Sequence, residues 1–285
     1  MDPLTQGVVG ATFSQQPTNK KTILVATFLG FFSGLAPDLD IFIRSNHDPL
    51  LILEFHRQFT HSLIFIPIGG LICAILFYYI FAKRKGMTFK KTYIYSTLGY
   101  GTHGLLDSCT SYGTQLLWPF SDNRISWNTI SIVDPFFTLP ILVLIIFAAV
   151  KENKIFSRLA LGWIIFYCIF GLVQKERAKE IGKQLATSRG HEPIEIVVKP
   201  SLANLFVWKI IYSTKRNYYV DAVKVGIKSK IYEGSKVEKL NVRESFPWLD
   251  SNSQQAKDIE RFRWFSGGYL ALSKKHQNRI IDIRY

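Results

Sequence analysis

Residues 62–82 read Ser62-Leu-Ile-Phe-Ile-Pro-Ile-Gly-Gly-Leu-Ile-Cys-Ala-Ile-Leu-Phe-Tyr-Tyr-Ile-Phe-Ala82, 21 positions without a charged side chain. A helix of about 20 apolar residues crosses a hydrocarbon core ~30 Å thick, so this run reads as a membrane span. Thr60-His61 stands at its entrance, with Thr60 suited to cap the helix and His61 to begin it. Residues 129–150 form a second run of similar length, with Asp134 near its start, and 156–173 a slightly shorter third. Residues 22–36 and 92–106 are short for spans, but short helices cross where the bundle shields their ends or the bilayer thins. Residues 4–13 suggest a small amphipathic or re-entrant helix. The expected fold is an α-helical polytopic membrane bundle of about five spans, two of them short, over residues 1–174. A small α+β extramembrane domain is expected over 175–285.

Charge marks the same division. From Lys175 onward there are 22 Lys/Arg against 12 Asp/Glu, so +10 of the net +14 lies in the last third of the chain. A basic domain on a membrane protein suits anionic lipid headgroups. Nucleic acid is not expected as a partner, because no recognition motif accompanies the charge. Cys73, Cys109 and Cys168 lack C-x-x-C spacing and imply neither a disulfide framework nor a zinc ribbon. The first residues lack a signal peptide's basic region and cleavage site, so the first apolar segment is expected to be retained.

Basic loops set the orientation. Lys20 and Lys21, then Lys83, Arg84, Lys85, Lys90 and Lys91, then Lys151, Lys154 and Arg158 all fall on the cytoplasmic side of a five-span arrangement. Residues 38–61 and 103–134 then face the extracytoplasmic side, as does the basic domain. Within that domain, 176–188 has a helical composition, and 194–198, 206–213 and 218–227 are rich in β-formers. The last two are expected to pair as a hairpin across Thr214–Asn217. A helix over 253–262 and strands over 269–273 and 279–284 complete the expectation.

The loops facing outward carry Asp38, Asp40, His56, His61, His103 and Asp107. Ionisable groups beside hydrocarbon are costly and need a partner, and one metal ion would satisfy several together. His103 and Asp107, four apart, share a helix face, where they either bind an ion or form a hydrogen-bonded pair at the helix end. His61 can bind metal from the start of the long helix, and a loop at His56 would bring the two together and leave His56 as a ligand or general base; otherwise both are interfacial histidines. Asp38 and Asp40 both reach one ion from an extended or turn backbone; otherwise one binds and the other orients a histidine. Arg57 and Arg124 are candidate anion clamps, with Arg124 equally suited to anchor at the interface. Asp134 is either an outer partner of the cluster or the cap of a helix that Pro135 starts. The N/O donor set favours zinc, with manganese or iron as alternatives, and one or two ions.

Met1-Asp2-Pro3-Leu4-Thr5-Gln6-Gly7 with Gly10-Ala11, Ala36-Pro37-Asp38-Leu39-Asp40, His56-Arg57 with Thr60-His61-Ser62, and His103-Gly104-Leu105-Leu106-Asp107 with Thr110, Gly113 and Pro119 together resemble the YdjM-like family. The resemblance covers residues 1–135 and implies an inner-membrane-associated, metal-dependent hydrolase. The family's Asp and His positions fall on Asp38, Asp40, His56, His61, His103 and Asp107; many members have a histidine where this chain has Gln6. The Pro-Asp and Thr-His-Ser elements are also similar to zinc-dependent phospholipase C and nuclease-like enzymes, which implies a phosphodiester substrate. Asp38, Asp40, His61, His103 and Asp107 are therefore expected to hold metal, with His56 and Arg57 as catalytic residues. A phosphoester or lipid-linked molecule is the expected substrate. The competing expectation is a non-enzymatic membrane protein with a structural metal and a lipid- or partner-binding basic domain.

Overall fold

Asp2 accepts the Thr5 amide at 3.0 Å and, with Pro3 in the first turn, starts α1 (Pro3–Gln15). This helix is buried on nearly every side, including Thr5, Gln6, Thr12, Ser14 and Gln15, so it is not amphipathic. Its polar side chains bond across to other helices: Ser14 Oγ donates to the Tyr95 carbonyl at 2.7 Å and Gln15 Nε2 to the Ile145 carbonyl at 3.1 Å. Around it stand α2 (Ile23–Leu35), α5 (Phe89–Ser108) and α6 (Pro135–Val150). Glycine allows the close approach. A Cβ on either Gly10 or Gly99 would lie 2.5 Å from the Gly30 carbonyl oxygen.

The computed structural model describes residues 1–276 and 278–285. It divides the chain into a helical unit (Met1–Ile43, Phe55–Val173 and Pro200–Leu205) and a sheet unit (Arg44–Glu54, Gln174–Lys199 and Phe206–Tyr285). Among the described residues three helical stretches are long and apolar enough to cross a membrane: Ile23–Phe42, Leu63–Lys85 and Lys154–Ser188.

Several expected boundaries move, each for a local reason. Thr60 does not cap the long helix. Residues Phe59–His61 and Leu63–Phe65 form 3-10 turns, and α4 (Ile66–Phe77) starts later, with proline in its first turn. The expected span over 129–150 shrinks to α6, 16 residues long, because Asp134 caps the Phe136 and Phe137 amides ahead of Pro135. Residues 92–106 lie inside α5, whose buried Thr92, Ser96, Thr102, His103 and Asp107 make it an interior helix with a polar face. The expected separate helix over 176–188 is the continuation of α7 (Lys154–Ser188), since no proline interrupts a run of strong helix formers.

In the sheet unit β1 (Glu195–Pro200), β2 (Val207–Ser213), β3 (Asn217–Val225) and β4 (Ser229–Glu238) form one sheet in that order. The β2–β3 hairpin has the register Ser213↔Tyr218, and the Thr214 amide donates to Asn217 O at 2.8 Å to close the turn. Trp208, Ile210, Ile211, Tyr212 and Val223 are among its buried residues. Strands β5 (Leu270–Leu272) and β6 (Ile280–Asp282) make a second, two-stranded sheet. The short helices α3 (Leu51–Phe55) and α8 (Val242–Ser245) and the longer α9 (Gln254–Phe265) complete the described elements. Arg261 on α9 ties down the segment Arg44–Glu54 through Asp48, 2.8 Å away, and Glu54, 2.5 Å away.

Candidate metal centre

The 3-10 turn Ala36–Phe42 at the end of α2 presents Asp38 and Asp40, and the turn Phe59–His61 presents His61. One face of α5 presents His103 and Asp107. Gly104 makes the meeting possible, because a Cβ there would stand 2.2 Å from the His61 carbonyl oxygen. One donor atom from each of Asp38, His61, His103 and Asp107 lies within 4.8 Å of the other three. His61, His103 and Asp107 are buried, and the Asp38 side chain is 25% exposed.

Hydrogen bonding fixes the imidazoles. His103 Nδ1 is 2.6 Å from the Gly34 carbonyl oxygen, which only accepts, so Nδ1 carries the proton and Nε2 is left with a lone pair. His61 Nδ1 lies 2.9 Å from Thr60 Oγ1 and 3.2 Å from Asp40 Oδ2, again directing Nε2 toward Asp38 and Asp107. His61 Nε2, His103 Nε2 and Asp107 Oδ2 are buried without a hydrogen-bond partner. The two imidazole atoms would ordinarily cost about 1–3 kcal/mol each, while Arg57 offsets part of the charge on Asp107. Burial opposes a charge on His61, yet Asp107, Asp38 and Asp40 outweigh it and push its pKa up to about 10. The carboxylates thus call for positive charge, and two imidazole nitrogens with two carboxylates form a donor set that fits a divalent cation.

Asp40 sits differently from Asp38. Its Oδ2 receives the Arg57 amide at 3.0 Å, Thr60 Oγ1 at 2.8 Å and the His61 contact, while Oδ1 faces His56 Nδ1 at 2.7 Å. Asp40 therefore orients two histidines; with Asp38 and His56 it also forms a second, smaller group of possible ligands. His56 follows α3 in a turn, as convergence requires, and its ring packs edge-on against His61 and Tyr112.

Arg57, expected to steady an anion, is placed on Asp107 instead, with Nε 2.9 Å from Oδ2 and Nη1 donating to Thr110 at 3.2 Å. Its guanidinium lies 4.6 Å from the centre of the Tyr112 ring. Its backbone φ of 67° costs about 1–3 kcal/mol. The contacts of its amide with Asp40 and of its carbonyl with the Gln115 amide (2.9 Å) hold that conformation. Arg124 bonds the Gly113 carbonyl at 2.8 Å, and Asp134 caps α6 and accepts from Tyr167 at 2.7 Å. Gln6 Nε2 donates to Asp107 Oδ1 at 2.8 Å, and the Met1 α-amino group ion-pairs with the same oxygen. Sequence reasoning missed Met1, Gly34 and Tyr112 as members of this surround. The Gly30-x-x-x-Gly34 spacing, a mark of close helix approach, was the one signal pointing to Gly34.

The sequence profile described as YdjM inner membrane protein matches residues 1–178, a stretch that includes every residue of the cluster. The chain belongs to the YdjM family. Among relatives of this YdjM member, the uncharacterized protein YfhP of Bacillus subtilis (strain 168) is 23% identical over 279 residues, covering 94% of this chain and 79% of YfhP. That likeness runs through the sheet unit as well. The inner membrane protein YbcI of Escherichia coli (strain K12) is 32% identical over 109 residues, 37% of this chain and 61% of YbcI. No solved structure matches the chain. The family and the apolar helices together make this an inner-membrane protein with a possible metal-binding cluster.

Proposed function

We propose that this YdjM-family protein is a membrane-bound, metal-dependent hydrolase acting on a phosphoester or lipid-linked substrate at the extracytoplasmic interface. The observation that carries the reading is the convergence of His61 Nε2, His103 Nε2 and Asp107 Oδ2, each buried without a hydrogen bond and only the last ion-paired, to Arg57, beside the half-open Asp38. Asp38, His61, His103 and Asp107 hold the ion. A divalent ion there would supply Lewis acidity and lower the pKa of water. Asp40 fixes the His61 ring and accepts a hydrogen bond from Nδ1–H of His56, which leaves His56 Nε2 as the basic nitrogen. The His56 side chain is 16% exposed, and in this reading it accepts a proton from water. Arg57 holds Asp107 in place. In this reading five spans, α2, α4, α5, α6 and α7, set the cluster and the basic domain outside, where that domain meets anionic lipid.

Four protein donors also favour a second reading, a structural ion. Four ligands complete a tetrahedral zinc site, whereas manganese or iron with six positions keeps places open for substrate and water. The experiment is elemental analysis of the detergent-purified protein beside His103→Ala/Asp107→Ala, followed by cobalt substitution and a phosphoesterase and lipase screen. About one ion per chain, lost in the double variant, is expected, with a higher-coordinate cobalt spectrum and hydrolysis that the double variant lacks. A tetrahedral spectrum without hydrolysis would move the assignment to the structural ion, and a metal-free protein after reconstitution would sink both.

A further inference from the structure

An apolar groove of about 430 Å³ runs between α2 and α4 in the helical unit. This lies within the ~300–1,000 Å³ typical of small-molecule sites. One end is formed by Leu39, Thr60 and Phe65, and the other by Phe32 and Phe77, whose ring centroids are 6.3 Å apart. From Phe65 to Phe77 the distance along the helix is ~18 Å at ~1.5 Å per residue. Tyr100 lines the groove as well. A Cβ on Gly69 would fall 2.2 Å from the Tyr100 ring, so glycine is what lets the ring approach α4 so closely.

The two ends differ in chemistry. At the first, Leu39 lies between Asp38 and Asp40 in the chain, Thr60 Oγ1 donates to Asp40 Oδ2 at 2.8 Å, and the Tyr100 hydroxyl donates to the Thr60 carbonyl at 2.7 Å. The other end is hydrocarbon. Near it in the same two helices stand half-exposed apolar side chains, Phe28 stacked beside Phe32 and Ile75 two residues before Phe77, the kind of surface that lipid covers in an inner-membrane protein. A molecule that fits both ends has a long saturated tail and a polar group within reach of the metal cluster.

We propose that the groove between α2 and α4 seats one acyl chain of a membrane lipid and delivers its headgroup linkage to the cluster. This rests on the hydrolase reading and narrows its substrate to an acyl-bearing lipid. The test uses the full chain in lipid nanodiscs with two phosphatidylglycerol probes, one with a diazirine beside the ester and one with it at the chain end. After photolysis, the ester-side probe is expected to label Leu39 and Phe65, and the chain-end probe Phe32, Leu76 and Phe77. Ile72→Trp, at a groove position 57% exposed, should cut both several-fold, while Ile165→Trp, outside the groove lining, should not. Metal content and size-exclusion elution of the same samples report that each variant is folded. Labelling spread evenly over Ile146, Ile165 and Leu172, or unchanged in Ile72→Trp, would overturn the groove even if metal is bound. Ordered groove labelling in a protein that binds no metal would uphold the groove and defeat the hydrolase reading.

Discussion

In the helical unit Gln6, Thr12, Ser14, Gln15 and His103 are fully buried, while Leu24, Phe28, Ile72 and Ile165 stand about half exposed. In the sheet unit Trp208, Ile210, Ile211, Tyr212 and Val223 are fully buried, and β4 turns Lys, Ser and Glu outward. Water drives the second arrangement through apolar burial. Among lipid tails that drive vanishes, and close glycine contacts and hydrogen bonds between helices must replace it. The same amino-acid alphabet is thus used in opposite senses within one chain. The difference explains why a charged cluster is affordable in the first unit: its interior is already organised around polar bonds.

Four measurements would sharpen or break this contrast. Trp208→Ala should cost the sheet unit about 3–5 kcal/mol in denaturant titrations and leave the metal content of the chain unchanged. Loss of metal in that variant would end the claim that the two units rest on separate interiors. Gly104→Val forces a methyl against the His61 carbonyl and should cost the helical unit about 3 kcal/mol, the upper range for overpacking, with reduced metal content. Wild-type thermal stability and metal content together would show that the α5 approach is looser than described. Asp40→Asn keeps the shape but weakens the orienting bonds to His56 and His61, so chelator competition should reveal a metal affinity about 10–100-fold lower. No change would remove Asp40 from the centre.

The smallest effect concerns Lys199 in β1. Burial, together with Lys209 and Arg284, lowers its pKa to about 8, below the ordinary lysine value of 10.5. The unfolded chain then holds this proton more tightly than the folded one between those values. Stability should therefore rise as pH climbs from about 8 toward 10.5, and Lys199→Met should flatten that part of the melting profile. An unaltered slope in the variant would assign the pH response elsewhere.

What was legible in the sequence was local. The i, i+4 spacing of His103 and Asp107, the turn at His56 and the hairpin across Thr214–Asn217 follow from backbone geometry that neighbouring residues set. The four-residue cluster is made of residues singled out beforehand, because ionisable groups at the ends of apolar runs are unusual enough to notice. Less visible were features decided by distant partners. Residues 4–13 look weakly amphipathic, yet α1 is buried all round because α2, α5 and α6 supply hydrogen-bond partners that its own sequence does not announce. β4, with Ser229-Lys-Ile-Tyr-Glu-Gly-Ser-Lys-Val-Glu238, lacks apolar alternation and pairs through its backbone with β3. Arg57 resembles a free anion clamp until its buried carboxylate partner, 50 positions away, is seen.

The four donors of the cluster are spread from position 38 to position 107. Synthesis at ~5–20 residues per second separates the first from the last by roughly 3–14 s. Through that interval the nascent chain offers at most three of them, two for most of it, and Gly104 and Gly34 must already be docked before the geometry exists. Under the proposed metal reading, ion capture would be a late event in biogenesis, and a loaded centre would certify that α2, the 59–61 turn and α5 have all reached their final places.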